Sequence, residues 1–440
     1  MNHSFHRRAL IQGGLALLLS HRAARAAGGA YPRATAVTRV FGEGPKFVAI
    51  ALDYGVPVLG GKLGAEAFAV EGRKIARAYT SDSPTGSPRP SGRFVILELS
   101  AQDKDAMLRV NAPAGPNPGA PAGGPPMNGP PRMPAFTVRR PQASIRQVAP
   151  VRLANGRVVA PSPAPVGIGA VITPIVDDFR QMEWRDPANS LLIRYNLFVP
   201  KGYSPKKRYP LVLFMHDASV TTTLTQATLV QGLGALCWAS PQDQAKRPCF
   251  VLAPQFERQV ANDDSETTGE MDSTVALIGM LGRKYAIDPR RIYTTGQSGG
   301  AMMSIAMNIK YPDLFAASFI VAGQWAAEKC ALLARQNMWI MVAQGDLKAF
   351  PGQNAITAEI ERHGAKISRA TWDGRWDAPQ WRDHVAAITA QGNRVIYTVL
   401  AQGTVVPEGQ SDNGGSNHVN TWRIAYTIPE IRDWIMQWHK

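Results

Sequence analysis

The spacing of apolar and polar positions changes character along this chain of 440 residues. Between residues 34 and 110 the apolar runs are short and end at turn-forming residues. Phe47-Val48-Ala49-Ile50-Ala51-Leu52 stops at Asp53-Tyr54-Gly55, and Ala67-Phe68-Ala69-Val70 stops at Glu71-Gly72. Phe94-Val95-Ile96-Leu97-Glu98-Leu99 follows a Pro/Gly/Ser-rich stretch. Such runs, with no helical period competing, predict a small all-β sandwich of immunoglobulin-like type. Residues 111–135 are dominated by proline and glycine, which build neither helix nor sheet, so they read as an insertion within the β domain. Strand-like material resumes at Ala143-Ser144-Ile145-Arg146-Gln147-Val148.

From residue 171 the rhythm becomes α/β. Apolar runs at 191–199, 211–215, 250–253, 291–295, 318–322, 339–343 and 395–400 predict strands. Residues 271–285 place Val275, Leu277, Ile278 and Leu281 at helical spacing, and 301–311, 355–363 and 380–388 read as further helices. Strands alternating with helices predict a mainly parallel sheet with helices on both faces. Ligands in such sheets sit beyond the carboxyl ends of the strands. The expected organisation is a leader over 1–27, a β domain over 28–170 and an α/β domain over 171–440.

The leader is legible in its chemistry. Arg7 and Arg8 precede a short apolar stretch ending near Leu19, and Ala24-Arg25-Ala26 offers a small-residue cleavage site. This predicts an export signal and a periplasmic or secreted protein. The arginine pair resembles a twin-arginine signal, with His6 and Gln12 where the usual pattern has Ser and Lys. An ordinary secretory signal is the alternative. In such a compartment Cys237 and Cys249, 12 residues apart, either pair or stay buried thiols like Cys330. No apolar run reaches the 18 or so residues of a membrane span, so none is expected in the mature protein.

Charge adds little. The net +15 includes four arginines in residues 1–26, and removing these four leaves +11. The basic residues are spread along the chain and match no nucleic-acid motif, so no nucleic-acid partner is expected. No Cys/His spacing suggests a metal, and no cofactor is expected.

The chemistry gathers at Gly296-Gln297-Ser298-Gly299-Gly300, directly after a predicted strand and before a predicted helix. G-x-S-x-G in that setting is a nucleophile elbow, whose glycines make room for a tight turn that lifts the serine above the sheet. A serine hydroxyl needs a base, and the base needs an orienting acid. Of the histidines that follow, His363 and His384 fall in predicted surface helices and His439 is penultimate. His418 lies in Asn413-Gly414-Gly415-Ser416-Asn417-His418, read as a glycine-rich loop before the last helix, and is the expected base. Asp346, just past the 339–343 strand, is the expected acid, with Asp377 and Asp383 as competitors. The oxyanion donors are expected to be the N–H of Gly299 and that of Asp217 or Ala218, with the Asp217 side chain pointing away. His216 reads as structural. Trp325 and Trp422 lie near the site loops and read either as substrate-pocket walls or as core.

With these residues placed, the chain resembles the α/β-hydrolase esterases that carry an N-terminal immunoglobulin-like domain. That group is often labelled predicted peptidase and is related to polyhydroxybutyrate-depolymerase-like and prolyl-oligopeptidase-like enzymes. The resemblance rests on Tyr195-Asn196-Leu197-Phe198-Val199-Pro200 and on Ile287-Asp288-Pro289-Arg290-Arg291-Ile292-Tyr293 before the elbow. Tyr311-Pro312-Asp313-Leu314-Phe315-Ala316-Ala317 and His418 followed by Trp422, Tyr426 and Trp434 complete it. It implies Ser298, His418 and Asp346 as nucleophile, base and acid. The acid loop reads Gln344-Gly345-Asp346 where relatives carry His-Gly-x-x-Asp. The expected activity is hydrolysis of small or polymeric carboxylic esters. A serine peptidase and an inactive hydrolase-fold binding protein are the rivals.

Overall fold

The computed structural model describes residues 32–61, 63–111 and 136–440. The expected export signal and nearly all of the Pro/Gly-rich insertion lie outside the described residues.

The first unit is a seven-stranded sheet in the order Phe68–Val70, Ser144–Gln147, Val166–Ile172, Arg33–Phe41, Gly44–Leu59, Ser91–Leu99 and Ile75–Ser81. Its pairs are antiparallel except Arg33–Phe41 with Val166–Ile172, which run parallel. The period-two alternation of a strand sorts its side chains. Val95, Leu97 and Leu99 enter the main core of this unit, and Ile96 joins a smaller cluster with Val37, Ala49 and Ala51. The turn expected at 53–55 is instead an irregularity inside one long strand: the pairing of Gly44–Leu59 with Ser91–Leu99 shifts register between Asp53 and Val58. Gly55 takes φ 76° and its N–H donates to Asp53 Oδ1, so the Asx-type turn bends the strand without ending it.

The second unit is a nine-stranded sheet in the order Arg180–Arg185, Leu192–Phe198, Phe250–Gln255, Tyr209–Met215, Ile287–Gln297, Ala317–Val321, Met338–Ala343, Val395–Leu400 and Ile367–Trp372. The first two pairings are antiparallel and the rest parallel. All residues of Tyr209–Met215 and of Met338–Ala343 are buried, which explains why these strands read as unbroken apolar runs. This is the expected α/β-hydrolase architecture. The helices Gly269–Lys284, Gly299–Lys310, Ala349–Arg362, Ala378–Thr389 and Gly414–Ala425 follow strands in turn, and Pro429–Met436 closes the chain after the last of them. A buried ion network ties Pro429–Met436 to the short helix Pro241–Lys246. Asp243 accepts from Arg247 (2.9 Å and 3.2 Å) and from Arg432 (2.6 Å and 3.0 Å).

The two units meet beside the carboxyl end of this sheet. Val40 of the β domain belongs to the core of the second unit. A Cβ on Gly42 would lie 2.9 Å from Arg423 Cβ, so only glycine lets the 41–44 turn rest on the helix Gly414–Ala425. Cys237, Cys249 and Cys330 are all free and buried, and no bridge joins the first two. Among the described residues no helix is long and apolar enough to cross a membrane.

Candidate active site

Ser298 follows the strand Ile287–Gln297 and precedes the helix Gly299–Lys310. It holds φ 53° and ψ −120°, a conformation most side chains avoid, at a cost of about 1–3 kcal/mol. The neighbouring glycines are required by contact. A Cβ on Gly296 would lie 2.4 Å from the Gly300 backbone, and one on Gly300 would lie 2.0 Å from Met215 O. The result is a serine lifted above the strand ends.

His418 Nε2 lies 2.8 Å from Ser298 Oγ, and its Nδ1 lies 2.5 Å from Asp346 Oδ2. Asp346 is almost wholly buried, and its Oδ1 accepts from the N–H groups of Lys348 (3.0 Å) and Ala349 (2.9 Å). Burial pushes this carboxyl up, but the His418 hydrogen bond and charge, with the two backbone donors, outweigh it and hold the group below the usual carboxylate range. An ionised Asp346 fixes the proton of the neutral imidazole on Nδ1 and turns the Nε2 lone pair to the serine. Gly345 makes the approach possible, since a Cβ there would lie 2.4 Å from Asn417 Cγ on the helix that carries His418.

His418 sits within the helix Gly414–Ala425 rather than in a loop. Gly414 and Gly415 mask the helix start in sequence, yet Asn413 caps it by accepting from Ser416 N–H at 2.9 Å. Trp422, one turn on, meets the His418 ring edge to face at 5.0 Å. It is buried, as is Trp325. Both tryptophans belong to the core cluster, and Trp422 also packs on the imidazole. The competing residues lie elsewhere. Asp377 caps the helix Ala378–Thr389, His384 stacks on Trp376, and His363 bonds to Glu359.

The loop after Met215 faces the elbow. Gly299 lies against it, a Cβ there falling in ordinary contact 3.6 Å from Ala218 N. The Asp217 carboxylate turns away, accepting from Ser219 N–H at 2.8 Å and from Gln297 Nε2 at 2.9 Å. His216 is buried and joined through Nδ1 to Asp217 O at 2.7 Å, while its Nε2 accepts from Phe256 N–H at 3.0 Å. Nε2 being the acceptor makes Nδ1–H the donor. Burial lowers the pKa of this ring against the pull of Asp217, which favours the neutral form. A trans peptide points C=O and N–H in opposite directions, so holding the Asp217 carbonyl toward His216 sends the Ala218 N–H the other way. Sequence reasoning did not find Gln297, because the second position of G-x-S-x-G reads as free. It also missed the rim formed by Lys348, Asp263 and Gln324, where Gln324 donates to Asp263 at 2.7 Å and Lys348 pairs with the same carboxylate. Among the described residues no group of His, Cys, Asp and Glu is arranged to hold a metal ion.

Residues 33–160 match the family described as "Esterase Ig-like N-terminal domain" and residues 193–357 match "Esterase PHB depolymerase". The chain is 30% identical over 149 residues to poly(3-hydroxyalkanoate) depolymerase C of Paucimonas lemoignei, covering 33% of this chain and 34% of that protein. It is 32% identical over 102 residues to acetylxylan esterase A of Aspergillus ficuum, covering 23% of this chain and 34% of that protein. These alignments span about a third of each curated relative's length. A crystal structure of a thermostable esterase shares the fold over 93% of this chain and 100% of its own, with a TM-score of 0.76 at 24% identity. The chain thus joins a segment of the esterase immunoglobulin-like N-terminal family to a segment of the polyhydroxybutyrate-depolymerase esterase family, the latter on an α/β-hydrolase fold.

Proposed function

We propose that this protein is a serine carboxylic-ester hydrolase working through an acyl-enzyme on Ser298. The observation that carries the reading is the continuous relay from Asp346 through His418 to Ser298, with contacts of 2.5 Å and 2.8 Å. His418 Nε2 takes the Ser298 proton as Oγ attacks the ester carbonyl. The N–H groups of Gly299 and Ala218 receive the oxyanion, and Asp346 stabilises the imidazolium. Collapse breaks the C–O bond, and His418 returns the proton to the departing alkoxide. Water, deprotonated by His418, then attacks the acyl-enzyme and releases the acid and free Ser298. In this reading the β domain, residues 28–170, braces the helix that carries the base, and an export signal over 1–27 delivers the protein to the periplasm or the exterior.

Substrates follow the same reasoning. The relatives named above are a polyester depolymerase and a carbohydrate esterase, which supports small or polymeric esters as the class. The test is a pre-steady-state burst with p-nitrophenyl acetate and butyrate. A burst of one nitrophenolate per active site is expected, and it disappears in Ser298→Ala. Native-level turnover in a folded Ser298→Ala protein defeats the proposal. Matched ester and anilide substrates distinguish an esterase from a peptidase.

A further inference from the structure

The two oxyanion donors stand on separate elements. Gly299 opens the helix after the elbow, whereas Ala218 belongs to the loop that follows the neighbouring strand Tyr209–Met215. Their separation must be held within a fraction of an ångström for both to meet one oxygen. We propose that the Asp217 carboxylate and the Gln297 amide form a brace that fixes this separation, and that both are positioning residues for oxyanion stabilisation. The inference rests on the acyl-transfer reading of Ser298.

The brace spans the two elements directly. Gln297, the residue before the nucleophile, donates through Nε2 to Asp217 Oδ2 at 2.9 Å and to Gln231 Oε1 at 3.1 Å. Gln231 in turn donates to Thr228 O at 3.1 Å. The other Asp217 oxygen accepts from the backbone N–H and the hydroxyl of Ser219. Asp217, Gln297 and Gln231 are 5%, 1% and 3% exposed, so water does not compete for these bonds. The charge is also accounted for. A bare carboxylate beside a developing oxyanion opposes the reaction, but this one accepts three hydrogen bonds, and the half-buried Arg109 of the β domain feels its charge. A glycine at 217 would have no side chain to reach across to Gln297. The carboxylate thus gives position 217 a structural task that a backbone donor alone does not need.

Steady-state kinetics on the full chain test this, with a trifluoromethyl ketone as the tetrahedral-adduct probe. Asp217→Ala is expected to lower kcat about 10- to 100-fold with KM within about threefold, since an oxyanion donor acts in the transition state. Affinity for the ketone falls in parallel with kcat. Asp217→Asn is expected to recover to within about threefold of native, because the Gln297 amide can turn its unpartnered Oε1 toward the new NH2. Gln297→Glu sets two carboxylates face to face, so its kcat falls at neutral pH and rises as the pH is lowered. Asp217→Asn combined with Gln297→Glu recovers kcat across the range, which no merely structural role predicts. The brace is refuted if folded Asp217→Ala keeps native kcat, or if KM and ketone affinity weaken equally while kcat holds. Fluorophosphonate labelling of the native protein runs alongside. Absence of labelling at Ser298 removes the acyl-transfer reading itself, whereas labelling with an unaffected Asp217→Ala removes the brace alone.

Discussion

Asp346→Asn changes one atom and is expected to stop the base from working. Asp346 Oδ1 faces two backbone N–H groups, at 3.0 Å and 2.9 Å. In the variant the amide oxygen must occupy that position, which turns the NH2 toward His418 Nδ1. The amide then donates, Nδ1 must accept, and the imidazole proton moves to Nε2, against Ser298 Oγ. The serine then faces a proton where it needs a lone pair. Flipping the amide restores the tautomer only by setting NH2 against both backbone donors, at about 1–3 kcal/mol each, or roughly 2–6 kcal/mol in all. The productive form is therefore populated at about 4% or less, and the imidazolium has lost its counter-charge. Together these predict a kcat about 10³–10⁴-fold lower at pH 7, with KM little changed. Asp346→Ala frees the tautomer and should lose no more than the asparagine variant. Hydrolysis of p-nitrophenyl butyrate, normalised to active-site titration, measures both. More than a tenth of native kcat in Asp346→Asn would refute the assignment of Asp346.

Further outcomes follow from the same contacts. The Asp346 carboxyl is held below its unfolded value, so its contribution to stability is complete above about pH 4 and is lost as the pH falls through the folded value. The Asp346 part of the difference in unfolding free energy between native and Asp346→Asn should therefore shrink as the solution is made more acid than about pH 4. Asp243→Ala leaves the buried Arg247 and Arg432 without their shared carboxylate and should cost about 3–5 kcal/mol in urea unfolding; a loss under about 1 kcal/mol contradicts the network. Gly300→Ala drives a Cβ to 2.0 Å from Met215 O, so the variant should fold poorly or escape fluorophosphonate labelling. Burial pushes the Cys237, Cys249 and Cys330 thiols up to about 12, so an aromatic disulfide reagent should modify them only on unfolding.

The arrangement of elements was readable because the central strands are covered on both faces and so carry no polar residue in alternation. The elbow was readable because its glycines answer a contact that any side chain violates. His418 was singled out by its place after the last strand, yet its helix was not, since two glycines obscure a start that only the Asn413 cap reveals. The turn at Asp53-Tyr54-Gly55 misled because the same residues end a strand or bend it, and the choice is made by pairing with Ser91–Leu99, far along the chain. Trp422, read as a pocket wall or core, is a core residue that also packs edge to face on His418, a contact that no spacing encodes. Gln297 and Gly345 gain meaning only from partners 80 and 72 residues away, Asp217 and Asn417, which no local pattern connects.

Catalysis by this site requires that Ser298 become covalently acylated. Intact-protein mass spectrometry after brief exposure to a fluorophosphonate, followed by peptide mapping, tests it most directly. One adduct per chain on Ser298, lost in Ser298→Ala and strongly slowed in His418→Ala, is the predicted result. A native protein that stays unmodified, or carries its adduct on another residue, rules out Ser298 as the nucleophile.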